Sequence, residues 1–317
     1  MAEDVVFQKI DMKGKDIITI HDLSSKEVFH ILKTTEFLKE KAKKGEVYQP
    51  LKGKTLGMIF HKASTRTRIS FEVAIWQLGG YGLFLNKNDL QLNRGETIAD
   101  TAKVLSRYLD AIMIRTYDHE DVLVLAEYAD IPVINGLTDL THPCQVLADL
   151  FTIYEKKGRL SGLKLAYIGD GNNMAHSLMY GCAKVGMNIA IASPKGYEPK
   201  EDIFISAKKD AEITGSSILI TNDIEEAVKD ADVLYTDVWA SMGQEAEREK
   251  RIKAFQGYQI NKALLKKAKQ NAIVMHCLPA HRGEEITDEV MDGPQSVVFD
   301  EAENRLHTQK AILTLVM

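Results

Sequence analysis

Short apolar segments alternate with amphipathic segments along almost the whole chain. Apolar segments of strand length occur at residues 55–60, 111–115, 132–135, 163–168, 188–192, 217–221, 233–236, 273–276 and 297–299. Most of the intervening segments place their apolar residues at helical spacing. One predicted helix begins at the capping-box pair Ser24 and Glu27 and ends near Lys43, and another begins at Ser64. This alternation predicts an α/β fold built from two doubly wound domains with mainly parallel sheets.

The chain length and an interruption in this pattern indicate where the domains meet. The 317 residues suit two domains of about 150 residues each. The pattern breaks at Lys156-Lys157-Gly158, and we predict a first domain at residues 1–150, a second domain at 151–305 and a C-terminal helix at 306–317. Ligands of such folds lie beyond the carboxyl ends of the parallel strands, so the active site is expected in the cleft between the domains.

Composition narrows the class of protein without identifying a chemistry. The formal net charge is -5, hydrophobic residues make up 45% and charged residues 27%, and the sequence has no basic tail. This balance is typical of a globular protein and argues against binding to nucleic acid or to a membrane. Three widely spaced cysteines predict no disulfide framework, and residues 1–16 lack the apolar core of a signal peptide. With no apolar run long enough to span a bilayer, the expected location is the cytoplasm.

A cluster of hydroxyl and guanidinium groups follows the first strand segment. Ser64 is placed to cap the next helix, and Thr65, Arg66, Thr67 and Arg68 fall in the first turn of that helix. The unpaired backbone N–H groups of a helix N-terminus bind anions, and these side chains add donors suited to phosphate oxygens. The segment lacks the glycine-rich loop of a P-loop. Taken alone, it could equally be an ordinary capped helix with solvated arginines.

Two further polar groups are predicted at the same edge of the first sheet. Arg115 ends an apolar strand segment, where a charge needs a partner. His142-Pro143-Cys144-Gln145 follows the next strand segment and opens a helix. A lone histidine at such a place is usually structural. A histidine and a glutamine beside an arginine and a helix N-terminus favour a site for a polar, anionic small molecule.

Three motifs, in this order, resemble those of the aspartate/ornithine carbamoyltransferase family: Ser-Thr-Arg-Thr-Arg at 64–68, His-Pro-Cys-Gln at 142–145 and His-Cys-Leu-Pro at 276–279. The resemblance runs along essentially the whole chain and implies transfer of a carbamoyl group from carbamoyl phosphate, with no cofactor. The residues that it implies for binding carbamoyl phosphate are Ser64, Thr65, Arg66, Thr67, Gln91, Arg115, His142, Pro143, Cys144, Gln145, Cys277, Leu278 and Arg305. Gln91 matches a family position that reaches into a neighbouring subunit's site.

The second half of the chain carries the features that bear on the second substrate. Asp237 follows a strand segment, where an isolated aspartate would most often cap a turn. With Ser241-Met242-Gly243 behind it, this aspartate resembles the ornithine-binding loop of the family. The resemblance implies Asn173, Asp237, Ser241 and Met242 as ornithine ligands. It therefore implies carbamoyl transfer to the side-chain amine of L-ornithine, giving L-citrulline and phosphate, in arginine biosynthesis or arginine catabolism.

Residues 169–173 read Gly-Asp-Gly-Asn-Asn and partly match a dinucleotide-binding fingerprint. The third glycine position of that fingerprint holds Met174, and the next strand segment ends in Ser193, where a ribose-binding acid would be needed. We therefore predict no nicotinamide binding. Adjacent asparagines at a strand end can instead present amide donors to a carboxylate.

The chemistry that we expect is direct attack of the deprotonated ornithine amine on the carbamoyl carbon, with no enzyme-bound carbamoyl group. The residues expected to take part are Arg66, Arg115, His142, Asp237 and Cys277. Cys277 invites interpretation as a nucleophile, but it could be a small apolar residue at a strand end, and the resemblance implies that it lines the ornithine site. No pair of cysteines or histidines has the spacing of zinc ligands, so no metal site is predicted.

Two other functions stay open at the level of sequence: carbamoyl transfer to another amine such as putrescine, and non-catalytic anion binding on the same fold. Putrescine has no carboxylate for Asn173 and its neighbours to hold. Every matched family position carries a chemically suitable residue, which disfavours the non-catalytic alternative. The resemblance also implies a homotrimer with sites at subunit interfaces, and a C-terminal helix that packs back on the first domain.

Overall fold

Two parallel sheets form the framework of the computed structural model, which describes residues 10–91, 95–241 and 243–317. The strands are β1 (Thr55–Phe60), β2 (Tyr81–Asn86), β3 (Ala111–Arg115), β4 (Val133–Leu137), β5 (Lys164–Ile168), β6 (Asn188–Ala192), β7 (Ile218–Thr221), β8 (Val233–Thr236) and β9 (Ile273–His276). The first sheet has the order β2-β1-β3-β4 and the second the order β7-β6-β5-β8-β9. All of these strands pair in parallel, which confirms the predicted fold class.

Helices connect the strands and cover the faces of the sheets. They are α1 (Ser25–Lys43), α2 (Thr65–Gln77), α3 (Ile98–Leu105), α4 (His119–Tyr128), α5 (Pro143–Lys157), α6 (Asn173–Lys184), α7 (Glu201–Thr214), α8 (Ile224–Val228), α9 (Arg248–Ala254), α10 (Lys262–Leu265), α11 (Asp288–Met291) and α12 (Val298–Val316). The predicted capping box is present, because Ser24 accepts from the amide of Glu27 and the Glu27 carboxylate accepts from Ser24. Among the described helices, none combines the length and apolar character needed to cross a membrane.

Successive residues of the first sheet belong to different apolar clusters. On β1, Met58 and Phe60 belong to the main core, whereas Ile59 belongs to a separate cluster on the other face. On β3, Met113 belongs to the main core and Ile114 to the separate cluster. Side chains alternate across a strand, and both faces of a parallel sheet are covered. Both faces of this sheet are therefore buried, and polar side chains can approach it from its edges and strand ends.

Helix α12 links the two halves of the molecule. It packs against α1, α2 and α5 and also contacts β9 of the second sheet. Its buried residues include Glu301 and Arg305 near the start and Ile312 and Leu313 near the end. The first half of this helix therefore brings polar side chains between the two sheets, while its second half contributes apolar side chains to the core.

Two strand predictions differ from the structure. The pattern missed β2, an edge strand whose residues are mostly half-buried and so lack a continuous apolar run. The strand predicted at 297–299 is wrong, because α12 begins at Val298 and Ser296 forms only an isolated bridge to Val274. Val297 and Val298 are buried, but Phe299 is 68% exposed, so a single turn of helix rather than a strand explains this apolar run.

The carboxyl ends of the strands bring the polar motifs together. The loop after β1 leads to Ser64, and β3 ends at Arg115. In the second sheet, β8 is followed directly by Asp237 and β9 by Cys277, and these two strands are neighbours. Because parallel strands end at the same edge of a sheet, residues far apart in sequence become adjacent there.

Candidate active site

Helix α2 opens with a capped N-terminus. Ser64 lies in extended conformation, and its hydroxyl oxygen accepts from the amide of Thr67 at 3.1 Å. Thr65 is exposed, whereas Thr67 is buried and turns its hydroxyl inward. The free N–H groups of this first turn and the positive end of the helix dipole form a place for an anion.

The two arginines of the Ser-Thr-Arg-Thr-Arg motif point to different places. The Arg66 guanidinium donates to the backbone carbonyl of Leu278 at 2.7 Å and so bridges from the first domain to the loop after β9. Arg68 is exposed, pairs with Glu72 at 3.1 Å and lies over the Phe84 ring at 3.7 Å. Only Arg66 therefore belongs to the predicted cleft.

Two buried arginines converge on the hydroxyl of Thr67. Arg305 donates to it at 3.1 Å and Arg115 at 3.4 Å. Burial, together with the charges of Arg305 and Arg66, lowers the pKa of Arg115 to about 9. The Nε atoms of Arg115 and Arg305 are buried without a hydrogen-bond partner among the described residues. These cations repel one another in a desolvated place, which a multiply charged anion would relieve.

The His-Pro-Cys-Gln segment turns from β4 into α5. Pro143 occupies the first turn of α5, where a missing N–H costs nothing, and the amide of His142 donates to Ser177 at 2.7 Å. Burial and the nearby arginine charges lower the pKa of His142 well below its usual value, so the ring is neutral. Its Nδ1 has no partner within the described part of the chain. Burial raises the pKa of Cys144 to about 12, and its thiol donates to the carbonyl of Asn135 at 3.4 Å.

Gln145 connects the arginine cluster to buried acids. Its side-chain oxygen accepts from Arg305, while its amide nitrogen donates to Asp149 at 2.8 Å and to Glu301 at 3.1 Å. The hydroxyl of Tyr235 lies 3.1 Å from an oxygen of each acid. The orientation of the Gln145 amide follows from this arrangement, since a guanidinium can only donate and a carboxylate can only accept.

Asp237 and Cys277 meet across the ends of neighbouring strands. The Cys277 thiol donates to a carboxylate oxygen of Asp237 at 3.1 Å, and the side-chain nitrogen of Asn172 donates to the other oxygen at 2.9 Å. Burial and the Asp237 charge raise the pKa of Cys277 well above its usual value. The sulfur is therefore a neutral thiol that is poorly suited to nucleophilic attack.

The remaining ornithine residues implied by the sequence lie in or near the same cleft. Asn173 starts α6, and its side-chain nitrogen donates to the carbonyl of Thr138 at 2.7 Å, which joins the two domains. Ser241 is half-buried, and its amide donates to the side-chain oxygen of Gln244 at 3.0 Å. Met242 lies outside the described residues, so its expected contact with ornithine stays a prediction.

The loop after β8 is held from both sides. Buried Arg251 pairs with Asp170 at 2.9 Å and donates to the carbonyl of Trp239 at 3.1 Å. A Cβ atom placed on Gly243 would lie 3.5 Å from the Tyr117 ring, so the loop reaches the first domain. Sequence reasoning missed Arg251, because Arg251 lies in a run of charged residues and the sequence does not distinguish a buried arginine from a solvent-exposed one there.

Sequence reasoning also missed the acids beneath Gln145. Asp149 lies one helical turn after Gln145 on α5, and that spacing was the available signal. Glu301 and Tyr235 carried no such signal, since their proximity arises only when α12 and β8 pack against α5.

The loop after β9 is organised by a buried histidine. His276 Nδ1 accepts from the amide of Leu278 at 2.9 Å, and His276 Nε2 lies 3.1 Å from Glu285. Leu278 adopts φ +59°, which turns its carbonyl towards Arg66. Asp237, His276 and Cys277 lie close enough together to consider a shared metal ion, but both ring nitrogens of His276 are already used by protein groups. The absence of a metal stays a prediction.

Gln91 stands apart from this cluster. It is exposed, and its backbone carbonyl accepts from the amide of Glu96 at 3.3 Å. Its expected reach into a neighbouring subunit's site stays a prediction.

Comparisons with known proteins identify the family of both halves of the chain. Residues 15–155 match the family model described as "Aspartate/ornithine carbamoyltransferase, carbamoyl-P binding domain", and residues 161–316 match the model of the corresponding "Asp/Orn binding domain". The chain is 62% identical to a protein of Anoxybacillus flavithermus named ornithine carbamoyltransferase, over 97% of this chain and 98% of that protein. A protein of the same name from Thermococcus kodakarensis is 60% identical, over 97% and 98% of the two chains.

Solved structures give the same result for the fold. The structure of ornithine carbamoyltransferase from Pyrococcus furiosus superposes with a TM-score of 0.95 at 58% identity, covering 97% of this chain and 98% of that one. The structure of ornithine carbamoyltransferase from Gloeobacter violaceus gives 0.86 at 50% identity, covering 97% and 100%. Both halves of the chain are thus matched by sequence and by structure. The chain belongs to the aspartate/ornithine carbamoyltransferase family.

Proposed function

We propose that the protein is an ornithine carbamoyltransferase, which transfers the carbamoyl group of carbamoyl phosphate to the side-chain amine of L-ornithine and yields L-citrulline and phosphate. One observation carries this proposal. Arg115 and Arg305 converge on Thr67 at the N-terminus of α2, and Arg66 bridges from the same turn to the loop that holds Cys277 beside Asp237. A cationic half and an acidic half thus face each other across one cleft. The relatives named above carry the same activity in their names.

The first half is suited to the donor substrate. The capped turn from Ser64 to Thr67 offers backbone and hydroxyl donors for the phosphate, and Arg66 and Arg115 offer charge. His142 is neutral and has an unused buried nitrogen near these arginines, so it can hydrogen-bond the carbamoyl oxygen without adding to their repulsion. Charge that develops on this oxygen during attack is stabilised by donors already fixed in place.

The further donor-site residues are assigned by resemblance and by position. They are Thr65, Pro143, Cys144, Gln145, Cys277, Leu278 and Arg305, with Gln91 from a neighbouring subunit. Pro143 and Cys144 shape the start of α5, whereas Gln145 and Arg305 touch each other directly. The carbonyl of Leu278 accepts from Arg66, and by resemblance it also accepts from the carbamoyl amino group.

The second half is suited to an amino acid that carries a second amine. Asp237 offers a carboxylate to the side-chain ammonium, and Cys277 and Asn172 fix the direction of its oxygens. Asn173, Ser241 and Met242 are proposed to hold the backbone carboxylate and amine of ornithine. A carboxylate at this place disfavours aspartate as the acceptor, because two like charges would then meet in a partly desolvated cleft.

The reaction is a direct displacement. The ornithine ammonium loses one proton to water before attack, and the resulting amine forms the new C–N bond at the carbamoyl carbon. The nitrogen then loses a second proton, while the C–O bond breaks and phosphate leaves with its electron pair. The departing phosphate, held by Arg66, is a chemically competent acceptor for that proton. Fixing two substrates in attack geometry supplies much of the acceleration.

A citrulline-forming assay with a panel of amines tests this proposal. We expect carbamoyl phosphate and L-ornithine to give citrulline and phosphate, and putrescine to be a poor acceptor because it lacks the carboxylate that Asn173 would bind. A preference for putrescine would overturn the choice of substrate. No product from either amine, despite phosphate binding to the purified protein, would instead favour a non-catalytic anion-binding protein. Activity that survives a chelator would support the absence of a metal.

We also propose a homotrimer in which Gln91 completes the site of a neighbouring subunit, and a cytoplasmic location. Gln91→Ala and Arg66→Ala would then inactivate different parts of a shared site. Mixing and reassembling the two inactive variants is expected to restore part of the activity, and no recovery would contradict the shared site.

The domain division at residues 1–150, 151–305 and 306–317 is likewise a proposal, which limited proteolysis can test.

A further inference from the structure

Two acids lie in the protein interior directly behind the donor site. Asp149 is fully buried on α5 and Glu301 is 1% exposed on α12. Gln145 donates to both, at 2.8 Å and 3.1 Å, and the Tyr235 hydroxyl lies 3.1 Å from each. The backbone amide of His276 donates to the second oxygen of Glu301 at 3.0 Å. The pair thus touches α5, α12, β8 and β9 at once.

The hydrogen-bond pattern requires a proton in this pair. The Gln145 side-chain nitrogen and the Tyr235 hydroxyl each lie within hydrogen-bond distance of an oxygen of both acids, so the two carboxyl groups share the same two neighbours. Tyr235 has a single hydroxyl hydrogen and can donate it to only one of the two acids, so its contact with the other is a hydrogen bond only when that acid carries a proton and donates to the phenol oxygen. Two ionised carboxylates in contact away from water would also repel strongly, the situation in which one acid of a pair stays protonated.

We propose that Asp149 and Glu301 share one proton and act as positioning residues that orient the Gln145 amide for carbamoyl phosphate. This inference rests on the proposed function in one respect, namely that Gln145 contacts the carbamoyl group. With one proton the pair carries one negative charge. The donor atoms of Gln145 turn towards that charge, and its oxygen turns towards Arg305.

The surroundings assign the proton to Glu301. Burial raises the pKa of Glu301 well above its usual value, and the Asp149 charge raises it further. Burial also raises the pKa of Asp149, to about 7, but hydrogen bonds from Gln145 and Tyr235 and the charge of Arg305 act in the opposite direction. Glu301 Oε2 accepts from the His276 amide, whereas Oε1 faces the Tyr235 hydroxyl, so a proton on Oε1 can be donated to the Tyr235 oxygen while Oε1 also accepts from Gln145.

This placement explains why the interior holds an acid pair and not a single carboxylate. The negative charge of Asp149 balances part of the charge of Arg305, because Gln145 hydrogen-bonds to both side chains. The neutral acid of Glu301 links the same network to the backbone at His276, next to Cys277. The acid pair therefore hydrogen-bonds to Gln145 on the carbamoyl phosphate side and to the backbone before Cys277 on the ornithine side. Neither acid contacts Thr67 directly.

The distinguishing experiment compares a neutral replacement at each acid. Glu301→Gln keeps a neutral side chain that can both donate and accept, as the protonated acid does, and is expected to retain kcat/KM for carbamoyl phosphate within about threefold. Asp149→Asn removes the charge and is expected to lose about 30-fold, as for a hydrogen bond to a charged acceptor. KM for ornithine should stay unchanged in both variants, which a general loss of structure would not produce.

An infrared spectrum tests the proton without reference to activity. At pH 8 the wild-type protein is expected to show the carbonyl stretch of one protonated carboxylic acid, and Glu301→Gln should remove it. Glu155→Gln is the matched control, because Glu155 lies on α5 and pairs with Lys39 but does not touch Gln145. This control should change neither the band nor the kinetics, and thermal melting checks that each variant is folded.

The outcomes separate this inference from the proposed function. A wild-type protein that shows the band but makes no citrulline would retain the shared proton and reject the proposed function. An active protein without the band, or with Glu301→Gln as impaired as Asp149→Asn, would reject the shared proton while the proposed function stands.

Discussion

The two halves of the cleft hold their charges in different ways. In the cationic half, Arg66, Arg115 and Arg305 lie close together, and within the described part of the chain no carboxylate forms an ion pair with any of them. In the acidic half, the Asp237 carboxylate already accepts from Cys277 and Asn172. The first half is thus incomplete without an anion, whereas the second half is hydrogen-bonded before any substrate arrives.

This difference bears on the order of events. Two like charges about 4 Å apart repel by roughly 4 kcal/mol at the effective dielectric of a protein surface. An arriving phosphate removes such repulsion and gains hydrogen bonds, so binding of carbamoyl phosphate is favoured in the free protein. An ammonium at Asp237 has to compete with existing donors, and its gain is smaller. We therefore expect carbamoyl phosphate to bind first and to complete the site for ornithine.

The largest effect is expected from the cationic half. Arg66→Ala removes the charge that we propose balances the departing phosphate, together with the bridge to Leu278, and should lower kcat/KM for carbamoyl phosphate by about 10³-fold. Arg68→Ala is the matched control on the same helix, since Arg68 pairs with Glu72 and lies over Phe84. Steady-state kinetics of both variants check this prediction, and equal losses in the two would contradict it.

A smaller and more selective effect is expected at Asp237. Asp237→Asn keeps the shape of the side chain but removes the charge that we propose holds the ornithine ammonium, and should lower kcat/KM for ornithine by about 10²-fold. KM for carbamoyl phosphate should change little, because Asp237 does not contact the arginine cluster around Thr67. Kinetics with each substrate varied in turn test this, and a parallel rise of both KM values would show that Asp237 supports the whole cleft.

The sequence contained most of the cationic half and only part of the network behind it. Local sequence patterns predict where strands end and helices begin, because apolar runs and helix starts are encoded by neighbouring residues. These patterns located Ser64, Arg115 and the segment at 142–145. Asp149 and Glu301 meet only through packing of α5 against α12, which no local pattern encodes. The same holds for Arg251, whose burial depends on the loop after β8.

A stability measurement sharpens the comparison. Arg115→Met replaces an unpaired buried cation by an apolar side chain and should raise the free energy of unfolding of the ligand-free protein by about 2 kcal/mol. Burial lowers the Arg115 pKa in the folded state to about 9, so its charged form opposes folding below that pH. The gain should therefore be full at pH 7 and shrink above pH 9.

Phosphate supplies the control for this stability effect. It should raise the melting temperature of the wild-type protein by mass action and have little effect on Arg115→Met. Denaturant unfolding at several pH values, with and without phosphate, separates the two contributions. A variant that is less stable than the wild type without phosphate would show that Arg115 is already compensated by its surroundings.

The smallest effect is expected at Cys277, which donates to Asp237 in the acidic half. Cys277→Ser keeps a donor to Asp237 and should lower kcat by about tenfold at most, because a neutral thiol that only orients the carboxylate is partly replaced by a hydroxyl. Since burial and Asp237 raise the pKa of this thiol, its alkylation at pH 8 should be much slower than that of a free cysteine. Cys144 and Cys182 are fully buried, so labelling of the native protein reports on Cys277. Complete loss of turnover, together with a carbamoyl-cysteine trapped in the wild type, would replace direct attack by a covalent route.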